Sequence, residues 1–173
     1  MLYSGVANCK RRLSLDIERA MTEKEHISIR ICSEEDLPIL REFYRRLFED
    51  YGDPVPSEGV DGRLSEYALI AEWDGKPIGY IIGEHQTIEF MESEIGRAAF
   101  PGKEYYLEIQ DLYVLPEYQN RTIGTRLVQE VLKCGRRNGL ERSMVYSSNP
   151  DYIRTARFYE QCGFKMWHIF MTQ

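Results

Sequence analysis

The 173-residue chain has no run of about 18 apolar residues, so an apolar transmembrane helix is excluded and no membrane partner is expected. Its four cysteines (Cys9, Cys32, Cys134, Cys162) lie far apart and form no Cys-x-x-Cys pair. That pattern points to reduced thiols in a cytoplasmic protein rather than a disulfide framework. Three scattered histidines, His26, His85 and His168, give no expectation of a metal site. Positive charge is not in excess: 22 Lys and Arg stand against 28 Asp and Glu, a formal charge of −6. A general nucleic-acid binder needs cations to replace phosphate counterions, so that class is disfavoured. Neither a Walker loop nor Gly-x-Gly-x-x-Gly occurs. Internal repeats, low-complexity segments and the apolar core of a secretory signal are missing too.

What is present suits one globular domain with a core of its own, since 43% of residues are apolar. Charge is uneven along the chain. From Tyr105 onward 9 basic residues face 7 acidic ones, whereas 13 face 21 before it. Residues 1–20, with Lys10, Arg11 and Arg12, read as an N-terminal extension, and 21–173 as the domain.

Period-two alternation predicts a strand from His26 to Ile31. Ser33 followed by Glu34, Glu35 and Asp36 marks a helix start. Leu37, Leu40, Phe43, Tyr44, Leu47 and Phe48 continue it at helical spacing, up to Gly52. Residues 52–66 read as an acidic loop. Strands are expected at 67–73 and from 77 to about 90, joined by the turn signal Asp74-Gly75. An irregular connection at 91–104 leads to a long strand, 105–115. Then follow a helix at 123–137, a strand at 141–147, a helix at 151–162 and a final strand at 164–171. The fold class is α/β: an α+β mixed sheet with helices on both faces.

The most informative stretch is Val114-Leu115-Pro116-Glu117-Tyr118-Gln119-Asn120-Arg121-Thr122-Ile123-Gly124-Thr125-Arg126. A strand ends, a polar turn follows, and an apolar-periodic helix begins. N–H groups at a helix start have no internal partners and carry partial positive charge, which suits a phosphate. Gly124 permits close backbone approach, and Arg121 and Arg126 add charge. This stretch resembles motif A of the GNAT N-acetyltransferase superfamily, Gln/Arg-x-x-Gly-x-Gly/Ala after a Val-x-Pro step. Val114, Pro116, Gln119 and Gly124 match it. Thr122 departs from it, standing where the first glycine is usual. Downstream, Ala156-Arg157-Phe158-Tyr159-Glu160-Gln161-Cys162-Gly163-Phe164 resembles the family's A-x-x-F/L-Y-x-x-x-G-F segment, with Asn149 ahead of it at wider spacing than usual.

The resemblance implies a GNAT-like fold with splayed central strands, and acetyl-CoA as cosubstrate with no metal. The cofactor's pantetheine arm would lie between strands 105–115 and 141–147, held by the backbone of Leu112 and Val114. The amides of Gln119, Asn120, Arg121, Thr122, Gly124 and Thr125 would hold the pyrophosphate, and Asn149 the pantetheine arm. Tyr159 matches the family's general acid. Glu108 and Asp111 are the candidates for general base; regular pleating puts them on opposite faces, and a bulge would bring them together. The implied activity is N-acetylation of a small-molecule or peptide amine. The alternatives are a non-catalytic acyl-CoA-binding module on the same fold and a small α/β nucleotide-binding protein. Glu49, Asp50, Asp53, Glu58, Asp61, Glu92 and Glu94, with Tyr44, Tyr51 and Phe90, would give the acceptor an acidic wall suited to a cation. The short tail leaves a sheet edge to pair with a second subunit, so a homodimer is an expectation.

Overall fold

A computed structural model describes residues 26–88, 100–147 and 149–167. The expected extension at 1–20, most of the connection at 91–104, and the end of the tail lie outside the described residues. Among the described residues no helix is long and apolar enough to cross a membrane.

Five strands form one sheet in the order β1 (Ile27–Ile31), β2 (Ala68–Trp73), β3 (Lys76–Thr87), β4 (Tyr105–Val114) and β5 (Ser143–Val145). Neighbours from β1 to β4 are antiparallel, and β4 and β5 are parallel. The hairpin between β2 and β3 turns at Asp74 and Gly75, whose φ values of 49° and 78° are left-handed, as its tight turn demands. Parallel strands need a crossover, and helix α2 (Ile123–Arg137) supplies it between β4 and β5.

Helix α1 (Leu37–Tyr51) lies on one face of the sheet. Its start is fixed by Asp36, whose carboxylate accepts from the Ser33 amide at 2.7 Å and from both terminal nitrogens of Arg30 at 2.7 and 2.8 Å. Leu40, Phe43, Tyr44 and Leu47 then pack at helical spacing on Ile70, Tyr80, Ile82 and Tyr113. On the other face Ile123, Leu127, Val128 and Val131 of α2 pack on Leu69, Ile81, Leu107 and Ile109. Helix α3 (Tyr152–Gln161) adds Phe158 and Tyr159 at the rim of that second core. The mixed sheet with helices on both faces is the expected architecture.

Two elements differ from expectation. β5 is only three residues long, Ser143–Val145, instead of 141–147. Residues 164–167 carry no strand, and the rest of the expected tail strand lies outside the described residues. Among the described residues Phe164 leans on the core while Met166 and Trp167 stand in solvent.

Candidate functional site

The site begins with one extra residue in β4. Asp111 pairs with Ile82 and Ile109 with Gly83, so Gln110 has no opposite number and bulges out of the ladder. On that same residue the parallel pairing with β5 stops, its last pair being Ile109 with Val145. Beyond it β4 runs on to Val114, and among the described residues no strand pairs with that edge. The Leu115 amide bonds Ile78 of β3 at 2.9 Å, so by alternation the polar groups of Leu112 and Val114 point to the opposite, open edge. A cleft open to solvent lies there, lined by Leu47, Phe48, Tyr51, Gln110, Asp111, Leu112, Tyr146, Ser147 and Tyr159.

The bulge moves Asp111 to the α1 face, the face that Glu108 occupies opposite Glu84. Both carboxylates are buried, each 8% exposed. Asp111 lines the cleft and Glu108 does not. Glu108 has the Tyr106 hydroxyl at 3.4 Å. Burial, and then the charge of Glu84, push its carboxyl up. Asp111 is also pushed up by burial, but the Arg63 guanidinium opposes this. Arg63 Nη1 stands 2.7 Å from Asp111 Oδ2, an ion pair without the alignment of a directed hydrogen bond.

Tyr159 comes to the cleft from α3. Its hydroxyl is pushed up by burial, with Tyr51 and Asp111 adding to the effect, so it stays protonated at neutral pH. Asn149 reaches across to the Tyr51 hydroxyl, and its Oδ1 accepts from the Asp151 amide at 2.8 Å. The asparagine thereby ties the start of α3 to the end of α1.

The turn between β4 and α2 has its own geometry. Gln119 Nε2 donates to the Val114 carbonyl at 3.0 Å, and its Oε1 accepts from Arg154 at 3.1 Å. Asn120 and Thr122 both take left-handed φ values, 61° and 62°. That explains why a glycine suits the position of Thr122: it adopts this backbone without strain. No side chain caps α2 at Thr122, so the first amides of the helix face the turn. A Cβ on Gly124 would lie 3.3 Å from the Phe158 ring, so this glycine lets α2 and α3 approach. Arg121 lies over Trp73 and Tyr118, with centroids at 5.4 and 5.7 Å. Arg126 turns to the Ile27 carbonyl at 3.1 Å, away from the role suggested by its place in the motif. Thr125 bonds Cys162 with its side chain.

The structure thus gathers Asp111, Leu112 and Tyr159 at one cleft and leaves Glu108 behind it. Sequence reasoning missed Arg63, which sits in a stretch read as an acidic loop; nothing in its local pattern distinguishes it. Of the acids expected to face an acceptor, Glu49 pairs with Arg45, and Asp61 with Arg41 at 2.7 Å. Glu92, Glu94 and Phe90 lie outside the described residues.

Comparison with known proteins agrees with this fold. The sequence profile of the acetyltransferase (GNAT) family matches residues 32–164. Among curated proteins there is no match. Similar solved structures include an aminoglycoside acetyltransferase, meta-AAC0020, from an uncultured soil metagenomic sample, in complex with trehalose. It is 20% identical at a TM-score of 0.59, over 86% of this chain and 97% of that one. Another is aminoglycoside N-acetyltransferase AAC(6')-Iy in complex with CoA, 19% identical at 0.64, over 86% and 93%. A predicted acetyltransferase with acetyl-CoA from Clostridium acetobutylicum is 15% identical at 0.61, over 85% and 95%. At such identities the likeness establishes the shared fold.

Proposed function

The chain belongs to the acetyltransferase (GNAT) family, and from that premise we propose that it moves an acetyl group from acetyl-CoA to a primary amine by direct attack. The observation that carries this reading is the cleft where β4 leaves β5, with Asp111, Leu112 and Tyr159 on its walls. Acetyl-CoA supplies an activated acetyl thioester. The residues present suit it: a strand edge where the Leu112 backbone and the Val114 amide face the cleft side, and amides without a side-chain cap at the start of α2. The amides from Gln119 to Thr125 take the pyrophosphate. The backbone of Leu112 and Val114 takes the pantetheine arm and orients the thioester, with Asn149 beside it. Backbone donors fixed in this way stabilise charge that develops on the carbonyl oxygen.

An ammonium must lose a proton before it attacks. The Asp111 carboxylate takes that role because it lines the cleft, and Glu108 lies outside the lining as a buried acid. The Tyr159 hydroxyl gives its proton to the departing thiolate. Solved relatives that are aminoglycoside acetyltransferases support a small-molecule amine as acceptor. Asp53 and Glu58, both exposed, remain as the acidic wall.

The ion pair of Asp111 with Arg63 favours a second reading, an acyl-CoA-binding module without turnover. Release of free thiol from acetyl-CoA across polyamines, aminoglycosides and lysine peptides separates the two. Amine-dependent release supports the enzyme. Tight CoA binding with no release on any amine supports the module, and absence of CoA binding overturns both.

A further inference from the structure

The acids on the α1 face need a counter-charge, and a loop provides it. Glu84, Glu108 and Asp111 share that face of β3 and β4 because of the bulge at Gln110. Arg63, from the loop between α1 and β2, reaches two of them. Its Nε lies 3.3 Å from Glu84 Oε1 and its Nη1 2.7 Å from Asp111 Oδ2. The side chain is held in place by two further contacts. Nη1 also donates to the Gly59 carbonyl at 3.4 Å, and the guanidinium lies 6.0 Å from the Tyr44 ring centre. Its side chain is 19% exposed, so water screens this pair poorly.

We infer that Arg63 is a positioning residue, which keeps the Asp111 carboxylate charged and fixed beside the cleft. The inference rests on the reading of Asp111 as proton acceptor. A carboxylate this buried loses its charge unless a cation stands against it. The other groups facing it give no such help. Tyr44 and Tyr51 of α1, Tyr80 of β3 and Tyr159 of α3 are neutral phenols. Glu84 of β3 repels it, and Glu108 on its own strand is another acid. Arg63 therefore decides at what pH Asp111 can accept a proton from an ammonium. It does so from a loop that also shapes the acceptor side, which couples the loop's placement to the proton acceptor.

The test reads Asp111 directly and then through catalysis. Carboxyl carbons of the full chain are followed by 13C NMR from pH 3 to 9, and the Asp111 signal is assigned by its loss in Asp111→Asn. In Arg63→Met that signal is expected to titrate about one unit higher or more. Arg63→Lys should return most of the shift. Glu84→Gln should move it the other way, because a repelling charge is gone and Arg63 is left to Asp111 alone. With the amine that turns over fastest in the panel, the acidic limb of kcat/KM should move with the NMR titration, and the rate should recover at high pH. An unmoved Asp111 titration in Arg63→Met, or a rate loss equal at every pH, overturns the inference. If Arg63→Met does not fold, Arg63→Gln, which is uncharged but polar, carries the test by the same upward shift. Asp111→Asn at the wild-type rate overturns the proton-acceptor reading itself. Impaired Asp111→Asn beside an unmoved titration overturns only the role of Arg63.

Discussion

Replacing Thr122 by glycine should stabilise the protein, although it removes a side chain at a helix start. Thr122 has φ 62° and ψ 3°. A β-branched residue in that left-handed region carries roughly 1–2 kcal/mol of strain from its Cβ. Little offsets it in the folded state. The residue is exposed, and its side chain makes no capping bond. Glycine gives back about 0.5–1 kcal/mol through the greater freedom of the unfolded chain. The net gain is about 0.5–1 kcal/mol, which raises the melting temperature by roughly 1–4 °C in a chain of this size. Asn120→Gly is the internal control. Its φ of 61° is nearly the same, but asparagine tolerates that region, so its gain should be close to zero. Urea denaturation of both variants, with slopes compared, measures the two changes. A loss of more than about 0.5 kcal/mol in Thr122→Gly would refute the strain argument, because it would mean that the side chain makes a stabilising contact in the folded state.

Three other outcomes are expected. In Gly79→Ala the new Cβ would sit 2.6 Å from the Tyr113 carbonyl oxygen and 3.1 Å from the Val114 Cα. Two backbones cannot yield cheaply, so a cost of about 2–3 kcal/mol should appear in urea denaturation, with weaker CoA binding by calorimetry. Tyr159→Phe should keep the far-UV circular dichroism and CoA affinity while lowering turnover by about 10²-fold or more, and wild-type turnover would remove the acid role. Acid should expose the Arg30–Asp36 pair: the guanidinium holds the Asp36 carboxyl down to about 2, against an ordinary 3.8. The unfolded chain takes up that proton more readily than the folded one. The stabilisation is therefore full above about pH 4 and fades as pH falls toward 2. Half-exposure of Arg30 limits it to about 1–2 kcal/mol, and Arg30→Met should flatten urea midpoints across that window.

Much of the fold could be read in advance because its signals are local. Asp74-Gly75 forces a hairpin, Ser33 with Asp36 opens α1, and the apolar stripe from Ile123 to Val131 specifies α2. What could not be read depends on contacts distant in sequence. The bulge at Gln110 is a mismatch between two strands, and neither strand shows it alone. It decides that Asp111 joins Glu108 on one face, the point on which pleating and bulging gave opposite expectations. Arg63 has a partner 48 residues away, so its loop reads as acidic. Gly124 illustrates a different limit. Its motif position suggests space for a ligand, yet the atoms beside it belong to Phe158. The short β5 and residues 164–167 show that β propensity alone does not set a strand's extent; pairing does.

The parting of β4 from β5 also divides the molecule by strength. From β1 to β4 the sheet is laced by long ladders and covered by α1 and α2. Among the described residues, those from Ser143 to Trp167 are joined to it by three strand pairs, a few side-chain hydrogen bonds and a helix with no fully buried residue. Amides there should exchange with solvent long before those of β3 or α2, through openings that leave the rest folded. The wall that carries Tyr159 is thus the loosely attached one, and any ligand lying in the cleft becomes part of what fastens it.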